Sequence, residues 1–277
     1  MMQNYNLTLL APPGYVHYLA FAEVSLLLEQ AFQTIGVNCT FEINNLQKDK
    51  INILLGYHLI KEPELLGDYK YIPYQLEQLS AKNGWFNETV LTILKNAYSI
   101  WDYSNENIAF MKQYGLSAKL LTIGYHDKLK RIQHDVNKDI DVLFYGCLNE
   151  HRKNILDQLI ALGYRVKNLC GVYGQKRDEY IARAKLVLNI HFYDTQILEV
   201  VRISYLLNNK IFVLSEESPT NPYKDTGLVT VSYHNIVSEC RKYLDNLKLI
   251  DETRELNYQR FKQNYQMSIF LDRVLRV

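Results

Sequence analysis

Two hydrophobic periods alternate along almost the whole chain. Short apolar runs of strand length are followed by longer stretches in which apolar residues return every three or four positions. Residues 6–13 (NLTLLAPP) read as a first strand, with Gly14 able to make a tight turn, and residues 18–36 as a helix stopped by Gly36. CTFEI (39–43), INILLGY (51–57) and YKYIPYQL (69–76) supply further strands. Residues 89–104 and 106–116 read as helices, and AKLLTIGY (118–125) as another strand. The pattern then lapses over HDKLKRIQHDVNKDI (126–140), a polar, charged stretch of linker character.

Beyond it the alternation restarts. DVLFYG (141–146), YRVKNLCG (164–171), KLVLNIHF (185–192), IFVLS (211–215) and LVTVSY (228–233) read as strands. Residues 151–163, 175–184 and 197–207 read as helices between them, and from about 234 the chain reads as helical. Strand–helix alternation predicts parallel βα units. The fold expected is α/β: two Rossmann-like domains facing a cleft, with C-terminal helices crossing back onto the first. The expected domains are 1–130, on the acceptor side, and 131–277, on the donor side.

Composition narrows this picture only modestly. At 277 residues, 48% hydrophobic and 22% charged, the chain matches a folded globular protein. Thirty-one basic against thirty acidic residues leave +1, so no long-range field draws it to nucleic acid or anionic lipid. Cys39, Cys147, Cys170 and Cys240 are far apart in sequence and form no CxxC pair, which fits neither a disulfide framework nor a zinc cluster. They are expected to be reduced, in a cytoplasmic setting. The N-terminal MMQNYNLTLLAPPG lacks a basic n-region and a long apolar core, and no apolar run reaches spanning length. RKYLDNLKLI (241–250) mixes bases with leucines and is expected to form an ordinary amphipathic helix; membrane association is not favoured.

Three stretches carry candidate chemistry. In DVLFYGCLNEHRKNIL (141–156), Gly146 permits close approach to the backbone and Asn149 can cap the following helix. Helix-start N–H groups beside His151, Arg152 and Lys153 favour a phosphate, although the same residues also make an ordinary capped turn with a solvated basic face. In LCGVYGQKRDEY (169–180), Tyr173 lies between Gly171 and Gly174, where it could stack on a base or simply belong to a glycine loop. In HFYDTQILEVVRISYLLNNKIFVLSEES (191–218), apolar residues cover most of a helix that carries Glu199 near its start. A carboxylate there requires donors. Arg202 at i+3 is one source, and the hydroxyls of a ribose are another. His191 ends the preceding strand, and Ser215 and Glu216 end the next one, so all three are expected at the same edge.

Taken as a set, 141–159, 171–194 and 197–217 resemble the nucleotide-sugar-binding half of GT-B glycosyltransferases of the "group 1" type. YIPYQLEQL (71–79), WDYSNENI (101–108) and LLTIGYHD (120–127) add to the likeness. The resemblance implies that Glu199 bonds the ribose hydroxyls of the donor and that Tyr173 with its loop holds the base. It implies that Gly146, Arg152, Lys153 and a helix start near Thr195 face the diphosphate. Retaining members often carry Glu-x7-Glu, whereas position 191 here is His, which leaves the stereochemical course open. The resemblance further implies a hexosyl- or pentosyltransferase that uses a UDP- or GDP-sugar without a metal ion and has no cofactor beyond that co-substrate. The acceptor is not specified: a glycan, lipid-linked sugar, protein or nucleic acid all fit. His17 leads His58 and Glu77 as a base for the acceptor hydroxyl, and His191 is expected to touch the transferring sugar or its phosphate. The alternatives are a phage-type DNA base glycosyltransferase and a non-catalytic Rossmann-like module that binds a nucleotide or partner. An NAD-dependent oxidoreductase ranks last, since no GxGxxG opens either half.

Overall fold

The structure is a computed structural model that describes residues 3–82 and 84–276. The chain divides into two compact units. One comprises residues up to His126 together with the segment from Gln266 onward, and the other runs from Asp127 to Tyr265. The polar stretch at 126–140 is not a free tether. Leu129 and Ile132 are buried, and the N–H groups of Arg131 and Ile132 both donate to Asn209 Oδ1, at 2.7 and 2.9 Å, within the second unit.

The first unit is built from β1 (Tyr5–Leu9), α1 (Ala22–Thr34), β2 (Cys39–Ile43), β3 (Ile51–Leu55), β4 (Lys70–Gln75), α2 (Glu88–Lys95), β5 (Trp101–Asp102), α3 (Asn105–Lys112) and β6 (Lys119–Leu120). Among the described residues the strands form one parallel sheet in the order β2-β1-β3-β4-β5-β6. β1 and β3 are buried along their whole length, as central parallel strands with both faces covered should be. The helix expected over 89–104 is shorter than that. It ends at Lys95, and after a turn Trp101–Asp102 becomes a strand, because the Tyr98 N–H donates to Tyr71 O (2.9 Å) and draws the chain alongside β4. The C-terminal helix (Met267–Arg276) belongs to this unit. Its first N–H donates to Tyr125 O (3.0 Å), and Met267, Leu271 and Val274 are buried.

The second unit contains β7 (Ile140–Tyr145), α4 (Glu150–Ala161), β8 (Val166–Leu169), α5 (Gly174–Arg183), β9 (Ala184–Asn189), α6 (Val200–Asn208), β10 (Val213–Glu216), β11 (Val229–Val231), α7 (Ile236–Leu244) and α8 (Leu247–Asn264). The parallel sheet runs β11-β10-β9-β7-β8. Its core places Phe144, Leu156, Leu159, Leu188 and Phe212 against Ile236, Cys240 and Ile250 from the C-terminal helices. RKYLDNLKLI is not one amphipathic helix: α7 ends at Leu244, and Asn246 caps α8 by accepting from the Leu249 N–H. No helix among the described residues is long and apolar enough to cross a membrane.

Both units therefore start at an inner strand, step outward once, then return and continue on the other side. That order creates a switch point between the first and third strands of each unit. Ligands of doubly wound sheets bind outside the strand C-termini at such a point. In the second unit it lies between the ends of β7 and β9, at Gly146 and His191.

Candidate functional site

At this switch point a buried polar network ties the strand ends to two helix starts. Its centre is Glu199, which is the N-cap residue of α6 rather than a residue inside it; the helix expected to begin near Thr195 begins at Val200. Glu199 does not cap with its own carboxylate, so the carboxylate faces the sheet edge instead. Asn189, the last residue of β9, donates from Nδ2 to Glu199 Oε2 (2.8 Å) and to Ser215 Oγ (3.0 Å). His191 Nδ1 lies 3.1 Å from Glu199 Oε2, and Arg152 Nη2 lies 3.7 Å from Oε1. Arg202, the sequence-level alternative partner, instead donates from Nη1 to Asn189 Oδ1 (2.7 Å).

The imidazole of His191 is held on both sides by acceptors: the Glu199 carboxylate at Nδ1 and the Glu217 carbonyl 3.0 Å from Nε2. A ring with acceptors at both nitrogens is best satisfied as imidazolium, which donates from both. Burial lowers the His191 pKa, but the bond and charge of Glu199, with Glu217 and Glu216, outweigh it and leave the pKa above the ordinary histidine value. Burial likewise raises Glu199, yet His191, Arg202 and Asn189 outweigh it and hold the carboxyl below the usual range. Each ion thus compensates the desolvation of the other.

Gly146 meets this network from β7. Its φ of +143° is a glycine conformation, and a Cβ there would lie 2.8 Å from Arg202 Nη2 and 3.5 Å from Arg152 Nη1. The close approach that the missing side chain permits is therefore taken by two guanidinium groups, with the Phe144 ring within cation–π range of both, at 5.1 and 5.5 Å. Arg152 is buried and anchored, donating to Ile190 O (2.9 Å) and Cys147 O (2.7 Å). Burial, with the charge of Arg202, lowers its pKa to about 10, which keeps it cationic at neutral pH. Arg202 is only half-buried, and among the described residues its Nε has no hydrogen-bond partner.

The remaining sequence candidates are distributed as follows. Asn149 caps α4, accepting from the Arg152 N–H (2.9 Å), and its Nδ2 donates to Phe192 O (3.0 Å). Ser215 and Glu216 are buried at the end of β10 and engage protein partners. Glu216 accepts from the His191 main-chain N–H (3.0 Å) and lies 3.0 Å from His151 Nε2, whose ring stacks on Tyr233 at 3.9 Å. Lys153 is exposed on the first turn of α4. Tyr173 is half-buried, extended in backbone, and immediately precedes α5. His17 lies in the first unit, on a short 3-10 turn after β1, with its ring 5.3 Å from that of Tyr15. In that unit burial lowers His58, packed against Trp85, to about 4 and raises Glu77 to about 7. Sequence reasoning gave Asn189 no role and treated Arg202 only as a structural partner. A polar residue closing the apolar run VLN was the available signal for the first.

No protein-family model matches the chain. It is 30% identical over 228 residues to uncharacterized protein L140 of Acanthamoeba polyphaga mimivirus, an alignment covering 76% of this chain and 73% of that protein. It is 34% identical over 171 residues to uncharacterized protein R358 of the same virus, and that match spans 59% of each chain. Among solved structures, AviGT4, a glycosyltransferase involved in avilamycin A biosynthesis, superposes with a TM-score of 0.61 at 13% identity over 99% of this chain and 96% of that one. A mutant of S. aureus TarM, in a complex with UDP, fondaparinux and α-GlcNAc-glycerol, gives 0.58 at 10% identity, covering 94% of this chain and 58% of that one. At such identities the likeness is one of fold.

Proposed function

The chain belongs to the family of mimivirus protein L140 and has the GT-B glycosyltransferase fold, and from that premise we propose that it transfers a hexosyl or pentosyl group from a UDP- or GDP-sugar to a hydroxyl acceptor in the cytoplasm. The observation that carries the reading is Glu199, held ionised by His191, Arg202 and Asn189 and contacted by Arg152 at the switch point of the second unit. An ionised carboxylate has about four acceptor positions, so it can serve these donors and still accept from a ribose hydroxyl. The presence of UDP in the TarM complex supports a nucleoside diphosphate leaving group.

Glycosyl transfer builds negative charge on the departing diphosphate. In this reading Arg202, whose Nη2 lies beside Gly146, and Lys153 stabilise that charge directly, while Arg152 is chiefly the clamp on Glu199. His191 as imidazolium contributes a further positive charge near the transferring sugar, and Tyr173 packs on the base. We propose that the reaction needs no metal ion, and chelation with EDTA should leave the rate unchanged. His17 is the proposed base toward the acceptor. Glu77, raised to about 7, is its rival, since a base poised near the working pH is the most effective. His17→Ala should abolish transfer while sparing slow donor hydrolysis; the same pattern for Glu77→Gln instead would reassign the base.

The test is ligand-induced stabilisation. UDP or GDP at a hundred times its Kd should stabilise the protein by about 2.7 kcal/mol, and Glu199→Ala should remove most of that shift. Arg202→Ala should weaken the diphosphates more than the nucleosides. A protein whose melting responds to none of UDP, GDP or their sugars is not a transferase of this kind.

A further inference from the structure

The network above leaves one pair of reactive groups without a role. Cys147 follows Gly146 at the end of β7, and Cys170 follows Leu169 at the end of β8, on the adjacent strand. The two strands are in register at Tyr145 and Leu169, and the Gly146 N–H continues the ladder by donating to Leu169 O (2.8 Å). The ladder thus brings together two residues 23 apart in sequence, and their Sγ atoms lie 3.7 Å from one another. Both thiols are exposed, with the hydrogen bond to Cys147 raising the Cys170 pKa, whereas Cys240 is buried and Cys39 is half-buried.

We propose that Cys147 and Cys170 are a redox modification site, a dithiol that peroxide converts reversibly to a disulfide. The thiolate of one cysteine attacks hydrogen peroxide, forming a sulfenic acid and releasing water. The thiol of the other then attacks that sulfur, the S–S bond forms, and a second water leaves, so two thiols and one peroxide give one disulfide and two waters. A dithiol reductant reverses it by exchange. The geometry asks little: sulfurs 3.7 Å apart must close to about 2.05 Å, and exposed side chains at strand ends can rotate that far. The bond ties the loop bearing Gly146 to the loop bearing Tyr173. It also reaches the buried network, because the Cys147 carbonyl accepts from Arg152 Nη1. This chemistry holds whichever ligand the second unit binds.

Tryptic mapping of the intact protein after peroxide treatment provides the test, since the two cysteines fall in separate peptides, 139–152 and 168–176. The expected result is the loss of two hydrogens, a linked pair of these peptides, and full recovery with dithiothreitol. Cys147→Ser should abolish the link and let dimedone trap a sulfenic acid on Cys170; Cys170→Ser should do the converse. The idea is overturned if peroxide leaves both thiols untouched, oxidises them separately with no linked peptide, or links either to Cys39 instead. It is equally overturned if the Cys147→Ser protein still loses two hydrogens.

Discussion

Single residues decide the chemistry of the second unit, and Gly146 shows how narrowly. Its positive φ disfavours any side chain, and the space a Cβ would fill already holds Arg202. Gly146→Ala should therefore cost about 1–3 kcal/mol in backbone strain and push Arg202 away, lowering diphosphate affinity in a titration while leaving nucleoside affinity less affected. His191 carries a pH signature. Its pKa is raised on folding, so its stabilising contribution is full below the unfolded value and disappears as pH rises through the folded one. Glu199 is depressed, so its contribution is present above the unfolded carboxylate value and disappears as pH falls through the folded one. The pair is strongest between those limits. Melting curves for the wild type and His191→Gln should diverge most at mildly acidic pH and converge toward alkaline pH; a constant difference would mean that the ring is not held as imidazolium.

At the scale of elements, the site exists because helix starts and strand ends coincide. Asn149 illustrates the coupling: one side chain caps α4 and ties that cap to the loop after β9. Asn149→Ala should destabilise the second unit by about 1 kcal/mol in denaturant melts. Asn149→Asp should keep the cap and lose only the donor to Phe192 O. The apolar pattern located nearly every element here, and also the cap, because Asn–Glu before an apolar run is a local signal. It misjudged 89–104, where helical spacing continued past Asn96 although the chain had already turned to become β5. It also extended the Glu199 helix one turn too early, because apolar spacing does not reveal that Gln196 takes a positive φ.

At the scale of the whole molecule, the chain visits the first unit twice. The C-terminal helix buries Met267, Leu271 and Val274 there, each worth roughly 1.5–3 kcal/mol when removed from water. Deleting residues 266–277 should therefore cost the first unit several kcal/mol, with hydrogen exchange rising in α1, which packs against this helix. The strands β7 and β9 should keep their protection. Equal loss in both units would show that they unfold as one.

Alternating periods, glycine stops and capping residues are local, so the linear chain was enough to specify two parallel α/β halves and to expect Glu199, His191, Ser215 and Glu216 at one sheet edge. What it could not specify is pairing among side chains distant in sequence. That the Glu199 carboxylate takes its contacts from Asn189, His191 and Arg152 while Arg202 acts on it through charge alone, that Arg202 occupies the space beside Gly146, and that Cys147 meets Cys170 all follow from strand order and register. Burial makes those pairings obligatory, because charges at a sheet edge must find partners, and only the folded chain determines which are within reach.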